Sequence, residues 1–206
     1  MSAQDEEFAE LVERARRLAV PGRRALLGIT GAPGAGKSTV AERLVGELGA
    51  SARLVGMDGF HFAQAELNRL GRAERKGAPD TFDALGYVAL LARLRRADDR
   101  VVYAPFFDRS LEEPIACAVP VPREVPLVVT EGNYLLVTEG EWAGVRPHLD
   151  ECWYVDPGES RRVDWLVARH ERFGRSREEA QGRALGSDQN NAVVVAATRD
   201  RADLII

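Results

Sequence analysis

GAPGAGKS, residues Gly31 to Ser38, follows an apolar run, ALLGIT at 25–30, and leads into an amphipathic one that begins at Lys37. The stretch fits GxxxxGK[ST] at every fixed position and lies between a strand pattern and a helix pattern, the context in which that spacing is a phosphate-binding P-loop. Glycines let the backbone curl so that successive N–H groups face inward as an anion nest, and the positive end of the following helix adds to the same field. Gly31, Ala32, Pro33, Gly34, Ala35, Gly36, Lys37, Ser38 and Thr39 are therefore the candidate nucleotide contacts. Lys37 brings a compact charge to the β- and γ-phosphates, and the Ser38 hydroxyl is placed to coordinate Mg²⁺. The bland alternative is a glycine-rich turn with an incidental lysine; the strand and helix on either side argue against it.

Composition narrows the surroundings of this loop. With 206 residues, 45% of them hydrophobic, the chain is expected to form one well-buried domain over 1–206. Twenty-eight basic against 32 acidic residues give a net charge of -4, so bulk electrostatics call for neither nucleic acid nor an anionic membrane as partner. Cys117 and Cys152 form no CxxC pair, which disfavours a disulfide framework or structural zinc and suits a reducing compartment. MSAQDEEFAELVERARRL at the N-terminus is charged throughout, and no apolar stretch approaches the roughly 20 residues that span a bilayer. A cytoplasmic protein is expected, and a homodimer is compatible with these features.

Strand and helix signals alternate along the chain. Phe8, Leu11, Val12, Ala15 and Leu18 recur at helical spacing, so residues 1–21 read as an N-terminal capping helix ended by Pro21-Gly22. Strands are expected at 25–30, 53–57, 100–104, 126–130, 152–155 and 202–206. Helices are expected at 37–48, 83–96, 141–148 and 160–172. The proline-spaced piece from Pro105 to Pro126 reads as irregular. This order predicts an α/β, three-layer P-loop NTPase fold: a mostly parallel sheet with helices on both faces, a helical lid at 158–176, and ligands beyond the carboxyl ends of the strands.

A P-loop specifies a nucleotide, and other motifs must specify the reaction. No NKxD element occurs to read guanine, and the DxxG match at Asp83–Gly86 is short enough to arise by chance. LVVTEGN offers one carboxylate, Glu131, where a mechanical ATPase usually has an acidic pair. Phosphoryl transfer to a small molecule is favoured.

GAPGAGKS, MDGFH at 57–61, KGAPDTFD at 76–83, TEGNYLL at 130–136 and ATRDRADLII at 197–206 occur in this order. Together they resemble the phosphoribulokinase/uridine kinase group of P-loop kinases, which includes type I pantothenate kinases. Within the group the chain is similar to bacterial nucleoside/nucleotide kinase family proteins and fructose-transport-system kinases. The resemblance spans about Ala25 to Ile206 and implies an ATP- and Mg²⁺-dependent kinase for a hydroxyl of a small metabolite.

The residues themselves carry compatible chemistry. Asp58 ends an apolar strand beside the phosphate loop, where a carboxylate accepts the proton of an attacking hydroxyl or holds a Mg²⁺-bound water. The resemblance implies the base role; a turn-forming Asp before Gly59 is the alternative. Glu131 ends LVVT within reach of Mg²⁺, so Ser38, Glu131 and Asp58 are the candidate metal ligands. His61 is placed either to bond an acceptor or to serve structure. Transfer in an open cleft would lose ATP to water, so a lid is expected, and the run Arg161, Arg162, Arg169, His170, Arg172 and Arg175 supplies the charge for it. Arg169 and Arg172 join Lys37 and Asp58 as catalytic candidates.

The acceptor site comes from the resemblance alone. It implies Asp83, with Arg75 or Lys76 beside it, from KGAPDTFD; Tyr103, Asp108 and Arg109 from VYAPFFDRS; and Asn190 or Asn191 from the tail, where Arg199 and Asp203 are candidate adenine contacts. Because the segments MDGFH, RKGAPDTFD and VYAPFFDRS contribute Asp58, His61, Asp83, Tyr103 and Asp108 against Arg75, Lys76 and Arg109, an uncharged polyol, a sugar or nucleoside, ranks ahead of pantothenate, and a nucleoside monophosphate ranks last. A nucleotide-dependent regulator without transferase activity is the remaining alternative.

Overall fold

The computed structural model describes residues 3–206, so Met1 and Ser2 of the expected capping helix lie outside the described residues. Helix α1 (Ala3–Leu18) precedes strand β1 (Ala25–Thr30), and the P-loop follows, joined to α2 (Lys37–Leu48). Next come β2 (Ala52–Gly56), α3 (Gln64–Arg69) and α4 (Ala84–Arg96). Strands β3 (Val101–Asp108) and β4 (Glu113–Pro122) precede β5 (Leu127–Glu131) and β6 (Glu151–Tyr154). Helices α5 (Glu159–Arg172), α6 (Arg177–Leu185) and α7 (Ser187–Ala196) lead to the short terminal β7 (Leu204–Ile205).

Five strands form one sheet in the order β2-β5-β1-β6-β7, every neighbouring pair parallel. Each central strand is apolar on both faces because each face is covered, as a parallel sheet requires. Leu27, Ile29 and Val129 pack with Val12, Ala15 and Leu44 of α1 and α2, while Leu26 and Val128 pack with Tyr87, Leu91 and Leu94 of α4 on the other side. The layers are helix, sheet and helix, as the alternating pattern predicts. No helix among the described residues is long and apolar enough to cross a membrane.

The expected strand near 100–104 does not join this sheet. It extends to Asp108 and pairs antiparallel with β4, so the segment read as irregular forms one arm of a separate hairpin. Pro114, Pro120 and Pro122 hid it; a two-stranded ribbon tolerates proline because each strand is an edge. Helices α3, α6 and α7 also lacked a clear apolar stripe, and the expected helix at 141–148 is two short 3-10 turns, Gly140–Gly144 and Arg146–His148.

Asp150, just ahead of β6, ties the layers together. One carboxylate oxygen accepts from the Leu26 N–H at 2.9 Å and Arg95 at 2.7 Å, and the other from Arg95 at 3.1 Å and Arg23 at 2.9 Å. Burial pushes its pKa up, but the Arg95 bonds, the Leu26 N–H and the two cations outweigh it and hold the carboxyl below its ordinary range. A depressed folded-state pKa means stability present above the unfolded aspartate value and lost as pH falls through the lower, folded one. Asp150→Ala is expected to cost about 2–3 kcal/mol at neutral pH, the scale of lost charge-assisted hydrogen bonds. Urea titrations should then show the gap between the two proteins closing below about pH 4.

Candidate active site

Three strand ends bring the chemistry together. Glu131 closes β5 with Ile29 of β1 and Gly56 of β2 as its register partners, Asp58 lies two residues beyond β2, and Lys37 opens the helix that follows β1. Parallel register therefore converts three distant stretches of sequence into one locus at the carboxyl edge of the sheet. The loop before Lys37 adopts the curl its glycines permit, with Gly34 at φ 84° and Gly36 at φ 91°. A Cβ on Gly34 would lie 2.8 Å from both the Arg162 carbonyl oxygen and Leu166 Cβ, so glycine also lets α5 sit directly on the loop.

Lys37 is buried, and its ammonium donates to the Ala32 carbonyl at 3.1 Å. Burial lowers its pKa to about 8; Glu131 and Asp58 resist that shift, and Arg169 and Arg109 add to it. Asp58 accepts from Arg109 at 2.7 Å. Burial alone would raise its pKa, yet His61, Arg109, Lys37 and Arg169 together bring it below the ordinary range, so the group is ionised. Glu131 behaves oppositely: burial and the Asp58 charge push it up to about 7, against the pull of Lys37, Arg109 and Arg169. His61 donates or shares its Nδ1 proton with the Asp58 carbonyl at 2.8 Å, between the rings of Phe82 and Phe107. Burial lowers its pKa despite Asp58, which keeps the imidazole neutral near pH 7.

These groups share a cleft of about 650 Å³. Its floor is Pro33, Lys37, Ser38, Asp58 and Glu131; the hairpin contributes Phe107 and Arg109; α5 to α7 contribute Leu166, Arg169, Arg183 and Asn191. Thr39 lies on the exposed side of the first turn of α2. Lys76 also lines the cleft, its ammonium 5.2 Å from the centre of the Phe107 ring.

Several expected site residues are elsewhere. Asp83 is exposed and caps α4, accepting from the Gly86 N–H at 2.8 Å. Asp108 holds the hairpin turn through the Ser110 N–H and hydroxyl and the Leu111 N–H. Tyr103 points outward, because strand alternation turns its neighbours Val102 and Ala104 into the core. Of the asparagines, Asn191 reaches the cleft and donates to the Gly77 carbonyl, whereas Asn190, one residue earlier on α7, is exposed. Arg172 is exposed and does not line the cleft, while Arg169, three residues earlier on α5, does. Arg75 pairs with Asp80 outside it.

Other members of the cationic run are anchors. Arg162 is 3% exposed, pairs with Glu159 and donates to the Pro33 carbonyl at 2.9 Å, which fastens α5 to the P-loop. His170 bonds Asp188 at 2.8 Å and accepts from Arg175 at 3.0 Å, so α5 and α7 are linked. Arg199 is paired with Asp156, and Asp203 with Arg146 and the Cys152 N–H. The sequence reading missed Arg183; only its cationic type in a region without a clear pattern could have signalled it.

The chain is similar to several known proteins. A family model described as methylmalonyl Co-A mutase-associated GTPase MeaB matches residues 1–57, which end just beyond β2. The protein named "Putative uridine kinase C227.14" of Schizosaccharomyces pombe is 33% identical over 174 residues, covering 79% of this chain and 70% of that protein. A pantothenate kinase of Nocardioides sp. is 31% identical over 167 residues, 75% of this chain but 49% of its own length. A crystal structure described as a "putative fructose transport system kinase" from Silicibacter sp. TM1040 superposes with a TM-score of 0.88 at 34% identity, covering 97% of this chain and 98% of that one.

Proposed function

Since the chain belongs to the phosphoribulokinase/uridine kinase group of P-loop kinases and is an ATP-dependent small-molecule kinase, we propose that its roughly 650 Å³ cleft binds a hydroxylated metabolite that also carries an anionic group. The observation that carries the reaction is the meeting of buried Lys37, ionised Asp58 and Glu131 around one cavity beside the phosphate loop.

The nest of backbone N–H groups and Lys37 hold the triphosphate, with Ser38 and Thr39 on the first turn of α2. Asp58 orients the acceptor hydroxyl. As the new phosphorus–oxygen bond forms, the hydroxyl proton passes to Asp58, the bond from the γ-phosphorus to the bridging oxygen breaks, and its electron pair leaves with ADP. Arg109 keeps Asp58 ionised until that transfer, and Arg169 faces the same region from α5.

Ser38, Asp58 and Glu131 fit Mg²⁺: all three offer hard oxygen donors, and the Glu131 carboxylate has no hydrogen-bond or ion-pair partner among the described residues. No cluster of three or more His, Cys, Asp or Glu ligands occurs among the described residues, which suits a cation held jointly with substrate phosphates. Such an ion neutralises charge on the phosphate oxygens.

The acceptor class follows from what the cleft retains. Ranking neutral sugars and nucleosides first relied on Asp58, His61, Asp83, Tyr103 and Asp108; the last three do not line the cavity, whereas Lys76, Arg109, Arg175 and Arg183 do, beside Glu74, Glu112 and Asp188. Arg109 is neutralised by Asp58, and the Arg183 side chain makes no hydrogen bond or ion pair among the described residues. A carboxylate or phosphate on the acceptor would pair with Arg183; a neutral polyol would leave that guanidinium without a partner. An ADP-release screen with Mg²⁺-ATP should give its strongest turnover with hydroxy acids, pantothenate among them, or with phosphorylated sugars and nucleosides. Mass spectrometry of the product separates the two anion types. Preferential turnover of neutral sugars or nucleosides would overturn the ranking, and silence across the panel with intact ATP binding would favour the regulator.

A further inference from the structure

The chain has three tryptophans. Trp142 and Trp153 are in the core at 5% and 0% exposure, while Trp165 on α5 is 47% exposed. Exposure alone carries little, since Tyr103, Phe106 and Phe173 are more open still. Its setting is specific: Cζ3 of the indole lies 3.5 Å, and Cε3 4.0 Å, from where a Cβ on Gly36 would stand. The ring edge thus lies against the last glycine of the phosphate loop, at the N-terminal cap of α2. Arg161, one turn earlier on α5, holds its guanidinium carbon 5.9 Å from the ring centre.

This placement is rigid relative to the loop. Arg162 donates to Pro33, the α5 backbone lies against Gly34, and Leu166 beside Trp165 is buried. Helix α5 consequently presents two different surfaces. Leu166, Arg169 and Phe173 line the cleft with Asp58 and Glu131, and Trp165 does not. A nucleotide whose terminal phosphate faces Asp58 must carry its nucleoside away from that cleft, along the loop toward α2. The tail residues first considered for the base, Arg199 and Asp203, are already committed to Asp156 and to Arg146 with the Cys152 N–H.

We propose that Trp165, flanked by Arg161, is the platform on which the nucleobase of the bound nucleotide stacks. The indole supplies a flat apolar face beside the phosphate nest, and the guanidinium adds a cationic edge to the same aromatic pair. The inference rests on the reading of the chain as a nucleotide-binding kinase but needs no acceptor and no turnover.

Because the other two tryptophans are buried, acrylamide quenching of the intact protein reports mainly on Trp165. Saturating ADP is expected to alter the emission and shield it from acrylamide, whereas inorganic tripolyphosphate, which offers phosphates without a base, should bind and leave it accessible. By calorimetry, Trp165→Ala should weaken ADP about 5- to 150-fold, the range of one lost base–aromatic stack, leave tripolyphosphate affinity unchanged, and keep the melting temperature within a few degrees. Trp165→Phe should recover much of the loss. If ADP binds the unmodified protein while Trp165 stays open to acrylamide, or if the alanine variant weakens ADP and tripolyphosphate alike, the platform is refuted with the kinase reading intact. If neither ligand binds the unmodified protein, both readings fall.

Discussion

Lys37→Ala is expected to lower ADP formation by about 10³-fold or more, to the limit of detection, while the protein stays folded. The ammonium is the one buried cation at the floor of the cleft that belongs to the phosphate nest, and its charge has no substitute in the loop, where every other side chain from Gly31 to Gly36 is apolar or absent. Folding does not depend on it. Among the described residues its ammonium bonds only the Ala32 carbonyl, and burial lowers its pKa to about 8, so the group stays protonated at neutral pH but holding that charge in the folded chain costs stability. Removing it relieves that cost, and the variant should melt at or above the temperature of the parent protein. Circular dichroism and coupled ADP assays on the two proteins make the comparison. Parental turnover by a folded Lys37→Ala protein would refute the phosphate-binding assignment.

Asp58→Asn is expected to lower kcat by roughly 10² to 10⁴, the range for a lost general base, with affinity for metal-free nucleotide nearly unchanged. The substitution keeps the shape of the side chain and removes the charge that receives the acceptor proton. It also leaves Arg109 without its carboxylate partner at 2.7 Å, so a modest loss of stability should accompany the kinetic effect. A turn-forming aspartate before Gly59 would behave differently: asparagine suits such turns as well as aspartate does, and activity would persist. Single-turnover measurements at saturating ATP separate the two roles, because only the catalytic one slows the chemical step.

How far each motif was legible follows from how locally its physics acts. The P-loop could be read outright, since an anion nest is made by consecutive backbone groups and the glycines that allow it are consecutive too. Asp58 and Glu131 were legible because each ends an apolar run, and in a parallel sheet such ends converge. The acceptor candidates were less so. Asp83 and Asp108 have the right chemistry at plausible positions, but their carboxylates cap a helix and a turn, and nothing in the residue type distinguishes a capping aspartate from one that binds substrate.

The hairpin shows the same limit in another form. Strand alternation places Val102 and Ala104 inward, and continued without a break it would bury Phe106. At an irregularity between Ala104 and Phe106 the pairing with β4 slips by two residues and the alternation of β3 breaks, so Phe107 faces His61 and the cleft while Phe106 is 54% exposed. The lid arginines divide in a comparable way. Helical rotation and packing against Gly34 put Arg169 in the cleft, fix Arg162 to the loop and turn Arg172 outward.

By itself, the sequence determined the phosphate loop, the central strands, the helices that flank them and the two carboxylates at the strand ends, because local backbone chemistry and hydrophobic periodicity specify these. Only the tertiary structure decided which charged side chains face the acceptor, that a proline-spaced segment forms a hairpin arm, and that Trp165 lies against Gly36. Those outcomes depend on which face of an element meets another element far away in the chain, and the register and packing that choose the face are formed only when the whole domain comes together.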